Sequence, residues 1–454
     1  MSKLIIDYVA SGFAASFRLG TPYKDFEQEI AKHLGPASQY LKDKMSGEVT
    51  ISGLFNAFTE ETFAKRVTES GSDFKTLFPD GMYADSGGLQ VLTQGKQIDE
   101  KMKKNIYDIQ AKYSHYAMSF DEMPFKMVDG QKIYLPETVS DCGTLAGKNL
   151  KGQIQHFNDI GADTKIVPIV QGLGLKDMST YTLNMINQLD EHELDKLECL
   201  AVGGIQSEFE LLERGVNIYK IDGIPEKVKT HFHVLGVTGF RKLIPILIGI
   251  RNGLMPGIKK VSFDSTTFTK SYLLGNIQLS LSELKSGKKN RSLGKHRDNF
   301  VDDYYQQMFD FWKDCPDNIF DDAEDLIQHS AFHGQYNNPD IPDLPVEDRC
   351  TTAASQYKSD KLGLNDAVKT IVQKYVYVYF NTFKFMEILE AYLEGKIQLL
   401  DFMKTYKHLT LLTNLENEVK NHDDFIKWYV SVRQMAKVDK KISDNGMETT
   451  SLLF

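Results

Sequence analysis

Residues 81–90 read GMYADSGGLQ, a short apolar run that stops at an aspartate, a serine and two glycines. Similar β-rich runs recur along the chain, and a helix-like segment follows each of them. Their ends fall at Asp85, Asp121, Gln171, Gly203, Gly236 and Asp264. Successive ends are 28 to 50 residues apart, and a β–loop–α unit needs about 30. The rhythm predicts repeated βα units around a parallel sheet.

Further strands near residues 1–60 would bring the total to eight, and GEVTISGLFNAF (47–58) is one candidate. Closure of eight such units gives an α/β fold, the (β/α)8 TIM barrel, whose active site lies at the carboxyl ends of its strands. An open doubly wound sheet is the alternative. We assign residues 1–284 to a (β/α)8 catalytic barrel.

The character of the chain changes at residue 285. The stretch KSGKKNRSLGKHR (285–297) contains six lysines and arginines and predicts an exposed basic loop. Residues 300–349 are acidic and predict an irregular insertion, whereas the periodicity of residues 362–436 predicts helices. Residues 285–454 are therefore expected to form the basic loop, the insertion and a helical C-terminal region.

Composition limits the classes of function. The chain has 454 residues and a net charge of −9, so a nucleic-acid surface would have to be a local patch. Its four cysteines are scattered singly, which fits the reduced state of a cytoplasmic protein. Its longest apolar run is far too short to span a bilayer, and no membrane partner is expected.

Three carboxylates stand at predicted strand ends: Asp85, Asp121 and Asp264. Each could simply be a helix N-cap. On one barrel rim, however, two carboxylates facing a sugar can perform glycosidic chemistry, one as nucleophile and the other as acid and base. A third can accept hydrogen bonds from the N–H groups of a base.

Paired glycines follow two of the strands, at 87–88 and 203–204. Glycine lets backbone N–H and C=O groups approach a flat ligand closely. Tight βα turns would need glycine equally, so the glycines alone do not decide between a ligand site and a turn.

Six short motifs, taken together and in order, resemble the signatures of the tRNA-guanine transglycosylase superfamily. They are DSGGLQ (85–90), SFDEMP (119–124), IVQGLG (169–174), LAVGGI (200–205), HVLGVTG (233–239) and SFDSTT (262–267). The resemblance implies a (β/α)8 barrel and a base-exchange reaction. In that reaction guanine leaves a nucleotide and a 7-deazaguanine enters, while the backbone stays uncut.

The resemblance also implies roles for individual residues. Asp264 would be the nucleophile on C1′, and Asp85 the general acid and base. Asp121 and Gln171 would hold the edge of the base. The remaining pocket residues would be Ser86, Gly87, Gly88, Gly203, Gly204, Leu235 and Gly236.

Three departures from the family pattern concern the substrate. Leu89 and Leu235 replace an aromatic residue and a methionine. The Cys-x-Cys-x-x-Cys zinc motif is absent, and the segment after the nucleophile reads DSTTFTKS. All three spare the carboxylates. This pattern resembles the DNA-directed branch, the 7-deazaguanine DNA transglycosylases of bacterial islands and phages, and the compact length suits the phage kind.

Metal and phosphate contacts are expected only from weaker signals. Structural zinc could use Cys315, His329, His333 and Cys350, although ordinary polar and loop roles explain these residues better. The chemistry itself requires no cofactor. Contacts to phosphates are expected from basic side chains, which could equally be solvated: Arg241, Lys242, Lys288, Lys289 and Arg291.

The expected function is therefore a DNA-guanine transglycosylase that inserts a preQ0-type 7-deazaguanine through a covalent aspartyl-glycosyl intermediate. The partners would be DNA and the free base, in the cytoplasm, or in the host cytoplasm for a phage-encoded protein. The alternatives are a tRNA-directed enzyme and a non-catalytic partner subunit. An unrelated sugar-cleaving barrel has no account of DSGG and LAVGG together. Oligomeric state is left open.

Overall fold

A computed structural model provides the fold. The residues it describes are 4–11, 24–45, 49–57, 75, 78, 81–87, 98–128, 131–203, 208–237, 239–289, 291–293, 297–330, 363–406, 409 and 411–444.

The strands of the described chain are mostly short and parallel. In chain order they are β1 (Ile5–Ser11), β2 (Val49–Asn56), β3 (Met82–Asp85), β4 (Tyr116–Met118), β5 (Phe125–Val128), β6 (Gln131–Tyr134), β7 (Lys165–Val167), β8 (Ile169–Val170), β9 (Leu200–Val202), β10 (His231–Val234), β11 (Lys260–Ser265), β12 (Asn276–Ile277) and β13 (Arg291–Ser292). Nine of them form one sheet in the order β7-β4-β3-β2-β1-β11-β10-β9-β8. The others form two small antiparallel pairs, β5 with β6 and β12 with β13.

The two edges of the large sheet meet at Pro168. Strand β7 ends at Val167 and β8 begins at Ile169, so the first and last strands are one residue apart. Proline has no N–H to give to a ladder, which accounts for the break. Ile166 already bridges to Leu197, just before β9. The sheet is thus barrel-like and nearly closed, whereas the open doubly wound alternative would keep its edges apart.

Helices follow most of the strands of the large sheet. In chain order they are α1 (Lys24–Lys44), α2 (Glu100–Tyr113), α3 (Val139–Asp159), α4 (Gly174–Ile186), α5 (Glu191–Leu194), α6 (Glu208–Lys220), α7 (Phe240–Arg251), α8 (Thr267–Leu274), α9 (Leu281–Lys285), α10 (Asn299–Trp312), α11 (Ala323–Gln328), α12 (Leu364–Leu393), α13 (Leu399–Thr405), α14 (Leu412–Glu418) and α15 (His422–Asp444). Short 3-10 turns lie at Pro136–Thr138 and Val228–Thr230. None of the described helices is long and apolar enough to cross a membrane.

Alternating side chains of the strands fill the interior of the sheet. One buried apolar cluster takes residues from seven of the nine strands or their flanks: Val9, Leu54, Tyr83, Met118, Val167, Ile169, Cys199 and Ala201. Because side chains alternate with period two, Asp85 lies on the same face of β3 as Tyr83. Outward-facing neighbours such as Met82 and Ala84 belong to the larger core beneath the helices.

The predicted insertion at 300–349 is wrong in its first part. Asp298 caps helix α10 by accepting a hydrogen bond from the Val301 amide, 3.0 Å away. One face of this helix is buried, including Tyr305 and Trp312. The acidic residues occupy its opposite face, so a high acidic content hid an amphipathic helix. Residues 331–349 lie outside the described part of the chain.

The C-terminal helix α12 packs against the barrel wall behind β11. The Phe385 ring stacks on Phe240, with 4.6 Å between ring centroids, and also contacts Phe263 and Phe268. Phe263 immediately precedes Asp264 in β11. The helical region therefore supports the strand that carries the proposed nucleophile.

Candidate active site

The strand ends place the sequence-predicted polar residues on one edge of the sheet. Asp85 is the last residue of β3, and Asp264 lies within the last two residues of β11. Asp121 and Gln171 follow β4 and β8 within three residues. Gly203 and Gly236 follow β9 and β10 within two. Carboxyl ends of parallel strands meet at one edge, so these groups share the mouth of the barrel.

Asp264 is held through one of its two carboxylate oxygens. Its Oδ1 accepts a hydrogen bond from the Gly236 amide at 2.9 Å and lies 3.6 Å from Nε2 of His233. Gly236 has a φ of +67°, in the left-handed region that favours glycine. Only 11% of the Asp264 side chain is exposed. Among the described residues Oδ2 has no hydrogen-bond partner, so it can face a substrate.

Asp85 is arranged to hold a proton near neutral pH. Burial raises the pKa of its carboxyl to about 6, and the charge of Asp264 contributes to the rise. The Gly87 amide, which donates to Oδ1 at 3.2 Å, opposes it. Because Asp264 acts on this pKa, the two carboxylates lie within electrostatic range of one another. A carboxyl with this pKa can serve as acid and base in turn.

Asp121 and Gln171 form a pair of hydrogen-bond acceptors. Gln171 Nε2 donates to Asp121 Oδ2 at 2.6 Å. The other oxygens, Asp121 Oδ1 and Gln171 Oε1, are buried and have no hydrogen-bond partner among the described residues. Burial also raises the pKa of Asp121 to about 6. Two buried acceptors without donors at this edge can accept hydrogen bonds from the N–H groups of a ligand.

The walls of the mouth use three further predicted residues. Ser86 Oγ donates to the Ser119 carbonyl at 3.0 Å and ties the loop after β3 to the loop after β4. Leu235 packs on Gly203 so closely that a Cβ at that glycine would lie 3.0 Å from Leu235 Cδ1. Gly203 therefore admits the leucine side chain to the mouth.

Gly88 and Gly204 lie outside the described residues, as do His333 and Cys350.

No protein-family model matches this chain, and no curated protein matches it either. Function is therefore inferred from the strand-end groups and their motifs.

Two residues of the site were not predicted from the sequence. Arg214 is 1% exposed, and its Nη1 donates to the Gly203 carbonyl at 2.5 Å while Nη2 pairs with Glu210 at 2.7 Å. His233 is fully buried beside Asp264. The alternation in HFHV (231–234) predicts that His231 and His233 lie on the same face of the strand. It does not indicate which face that is. The identity of their neighbours depended on the pairing of β10 with β11.

The five predicted phosphate-binding residues fall in two places. Arg241 and Lys242 are half-buried in the first turn of α7, just after the Gly236 loop. Lys288, Lys289 and Arg291 are exposed beyond α9. Lys288 lies 3.5 Å from Glu283, and the Arg291 guanidinium covers the Phe300 ring at 4.9 Å.

Of the predicted zinc ligands, only Cys315 and His329 are described. Among the described residues, no group of three or more His, Cys, Asp or Glu side chains could hold a metal ion. Cys315 is buried among apolar residues, and burial raises the pKa of its thiol to about 12. The His329 imidazole lies 3.0 Å from Asp325 and 3.6 Å from Asp366. Because His333 and Cys350 lie outside the described residues, the four-residue zinc site stays a prediction.

Asp121→Asn is expected to raise the free energy of unfolding relative to the wild type, and this gain should be about 1–2 kcal/mol larger at pH 8 than at pH 5. A carboxyl with a raised pKa binds its proton more tightly when folded. It therefore lowers stability as the pH rises from 4 through 6. Asparagine cannot ionise, and its side-chain oxygen can still accept from Gln171. Urea unfolding at both pH values measures the difference.

Asp310→Asn is the matched control for this measurement. Asp310 is exposed, and its hydrogen bond from Lys313 lowers its pKa, so its removal should bring no gain at high pH. An Asp121 variant whose unfolding free energy changes with pH as the wild type does would contradict the expectation.

Proposed function

We propose that this protein is a DNA-guanine transglycosylase of the tRNA-guanine transglycosylase superfamily. It would exchange guanine in DNA for a preQ0-type 7-deazaguanine. The observation that carries the proposal is the pair of carboxylates at the barrel mouth. One is anchored through its Oδ1 alone among the described residues, and the other has a pKa of about 6. The proposal includes a (β/α)8 barrel in which β7 and β8 are one strand interrupted at Pro168.

The first half-reaction joins the sugar to the enzyme. Asp264 Oδ2 attacks C1′ while the bond from C1′ to the guanine nitrogen breaks. Protonated Asp85 gives its proton to the departing base. The product is a glycosyl ester on Asp264, together with neutral guanine. The target nucleotide has to leave the base stack to reach the strand ends.

The second half-reaction reverses these roles with a new base. The Asp85 carboxylate takes the ring N–H proton of the incoming 7-deazaguanine, whose nitrogen then bonds to C1′. The Asp264 carboxylate departs as its ester bond breaks. Both residues return to their starting protonation states, so the exchange needs no further reactant.

Recognition of the base is supported by the two unfilled acceptors of Asp121 and Gln171. The Watson–Crick edge of guanine presents two donor groups, the ring N–H and the exocyclic amine, and a 7-deazaguanine retains both. Adenine presents an acceptor in place of the ring N–H. A site of buried acceptors rejects a base that leaves them unpaired.

Direct comparison of substrates tests the proposal. Purified protein is incubated with labelled preQ0 and either duplex DNA or tRNA, and the label retained in each nucleic acid is counted. We expect incorporation into DNA. Incorporation into tRNA alone would overturn the DNA assignment in favour of a tRNA enzyme. Failure to label or covalently trap either nucleic acid would favour a non-catalytic partner subunit.

A further inference from the structure

A chain of polar side chains crosses the barrel interior from its floor to the proposed nucleophile. Glu198 Oε1 lies 3.4 Å from His231 Nδ1, and His231 Nε2 lies 2.6 Å from Ser262 Oγ. Ser262 Oγ lies 2.7 Å from His233 Nδ1, and His233 Nε2 lies 3.6 Å from Asp264 Oδ1. These five groups form four consecutive links.

Strand register explains why the groups align. His233 of β10 pairs with Ser262 of β11 in the parallel ladder. With period-two alternation, His231 faces the interior with His233, and Asp264 faces it with Ser262. The two histidines and the serine are at most 4% exposed, whereas the Glu198 side chain is 30% exposed at the amino ends of the strands. The chain therefore connects solvent at the floor with the mouth.

The five groups carry one hydrogen fewer than they need for a hydrogen bond in every link. With both end carboxylates ionised, each of the four links needs one hydrogen. Two neutral imidazoles and one hydroxyl supply three. One link therefore has no hydrogen unless the chain takes up an extra proton.

Glu198 determines which link is left unfilled. The hydrogen bond from His231 lowers the pKa of Glu198, and burial lowers the pKa of His231 to about 4. Neutral His231 therefore donates Nδ1–H to the Glu198 anion and accepts the Ser262 hydroxyl at Nε2. Ser262 in turn accepts Nδ1–H from His233. His233 Nε2 is then a lone pair facing Asp264, and it has no hydrogen-bond partner among the described residues.

We propose that this chain is a proton relay through which Glu198 determines the proton content of His233, and hence the ease with which Asp264 leaves C1′. His233 is a positioning residue. An extra proton on its Nε2 fills the fourth link and pairs an imidazolium with Asp264 Oδ1. That ion pair stabilises the carboxylate as a leaving group and should shorten the life of the glycosyl ester. The role of Asp264 rests on the proposed function, whereas the relay itself does not.

Several charged and titratable groups surround His233 and its chain. Toward the mouth, the carboxylates of Asp85 and Asp264 are its charged neighbours. Tyr83 stacks on the ring at 5.2 Å between centroids, and its hydroxyl faces Ser262. At the floor, Lys260 disfavours protonation of His231. The charge of Lys260 is paired with Asp7 at 2.8 Å, and Cys199 nearby is buried.

Glu198→Gln separates the relay from simple packing. A glutamine amide can donate to His231 Nδ1, so every hydrogen in the chain can reverse direction. His231 then donates to Ser262, Ser262 donates to His233 Nδ1, and neutral His233 donates Nε2–H to Asp264. All four links are filled without an extra proton.

The ¹⁵N NMR chemical shifts of the imidazole nitrogens, measured on the full chain labelled with ¹⁵N-histidine, report this reversal. The variants His231→Gln and His233→Gln identify the two signals. In the wild type we expect His231 with hydrogen on Nδ1, and His233 gaining a second proton as the pH falls. In Glu198→Gln we expect both rings neutral with hydrogen on Nε2 over the same range. Glu226→Gln, an exposed floor carboxylate outside the chain, should change neither ring.

Ser262→Ala supplies the second variant, because it interrupts the relay with a small buried change. In that background Glu198→Gln should no longer affect His233. A His233 signal that ignores Glu198→Gln while His231 responds would overturn the relay, as would an effect that survives Ser262→Ala. Loss of the pH dependence of adduct lifetime in Glu198→Gln would support it further. If no variant forms an adduct, the proposed function fails while the imidazole shifts still decide the relay.

Discussion

Replacing Asp264 by asparagine is expected to reduce base exchange by about 10⁴-fold or more, the scale of loss when an enzyme nucleophile is removed. The amide oxygen of asparagine can still accept from the Gly236 amide, so the loop after β10 keeps its anchor. The amide cannot displace guanine from C1′. We therefore also expect no covalent protein–DNA species on a denaturing gel, where the wild type forms one with DNA and no incoming base.

Asp310→Asn is the control for this result, because it removes an exposed carboxylate whose recorded partners, Lys313 and Gln306, lie outside the mouth on the same stretch of chain. It should exchange bases at the wild-type rate. A covalent species that persists in Asp264→Asn would contradict the assignment of the nucleophile and direct attention to Asp85.

Asp85→Asn is expected to slow exchange by about 10² to 10⁴-fold, the usual contribution of a positioned acid or base. The wild-type carboxyl has a pKa of about 6. It is protonated below that pH, as departure of guanine requires, and ionised above it, as entry of the new base requires. Formation of the adduct should thus slow above pH 6, and its consumption by the incoming base should quicken.

Single-turnover rates of the two half-reactions between pH 5 and 8 separate these effects. Asparagine neither gives nor takes a proton, so the slower formation and the faster consumption of the adduct above pH 6 should both vanish. Only the shorter adduct lifetime at low pH that the relay to His233 causes should remain. Unlike Asp264→Asn, this variant should still form the adduct slowly. An unchanged pH profile would assign the proton transfer to another group.

The sequence was sufficient to predict the repeated βα units, because each strand is a short apolar run ending in a polar or glycine residue. The strands at 49–56 and 82–85 and the helix at 100–113 lie where these patterns indicated. The break between β7 and β8 at Pro168 was not predicted. A single proline in an apolar run does not reveal which neighbouring strand loses a hydrogen bond. Closure of the sheet depends on that pairing.

Composition misled the prediction for α10. Its acidic residues suggested an irregular insertion, yet its buried face recurs with helical spacing, and a capping aspartate precedes it. Periodicity carries more information than charge in such a segment, because a helix needs only one apolar face.

The positions of the polar strand-end groups were predictable, because each depends on a single strand. Asp85, Asp121, Gln171 and Asp264 fall into this class. The carbonyl contact of Arg214 and the chain through His233 involve residues 11 to 33 positions apart that meet only through the fold. Such contacts depend on strand order and register, which a single sequence does not encode locally.

The seam between Phe385 and the phenylalanines of α7, β11 and α8 has a consequence for biosynthesis. A ribosome makes residue 385 more than a hundred residues after Asp264, and domains normally begin to fold as they emerge. Until α12 emerges, the wall behind β11 exposes an aromatic surface to water. The nascent barrel therefore stays incomplete and prone to aggregation until roughly a hundred further residues have been made. A translation product truncated before α12 would lack the support of the strand that carries the proposed nucleophile, so base exchange should require a chain that extends through α12.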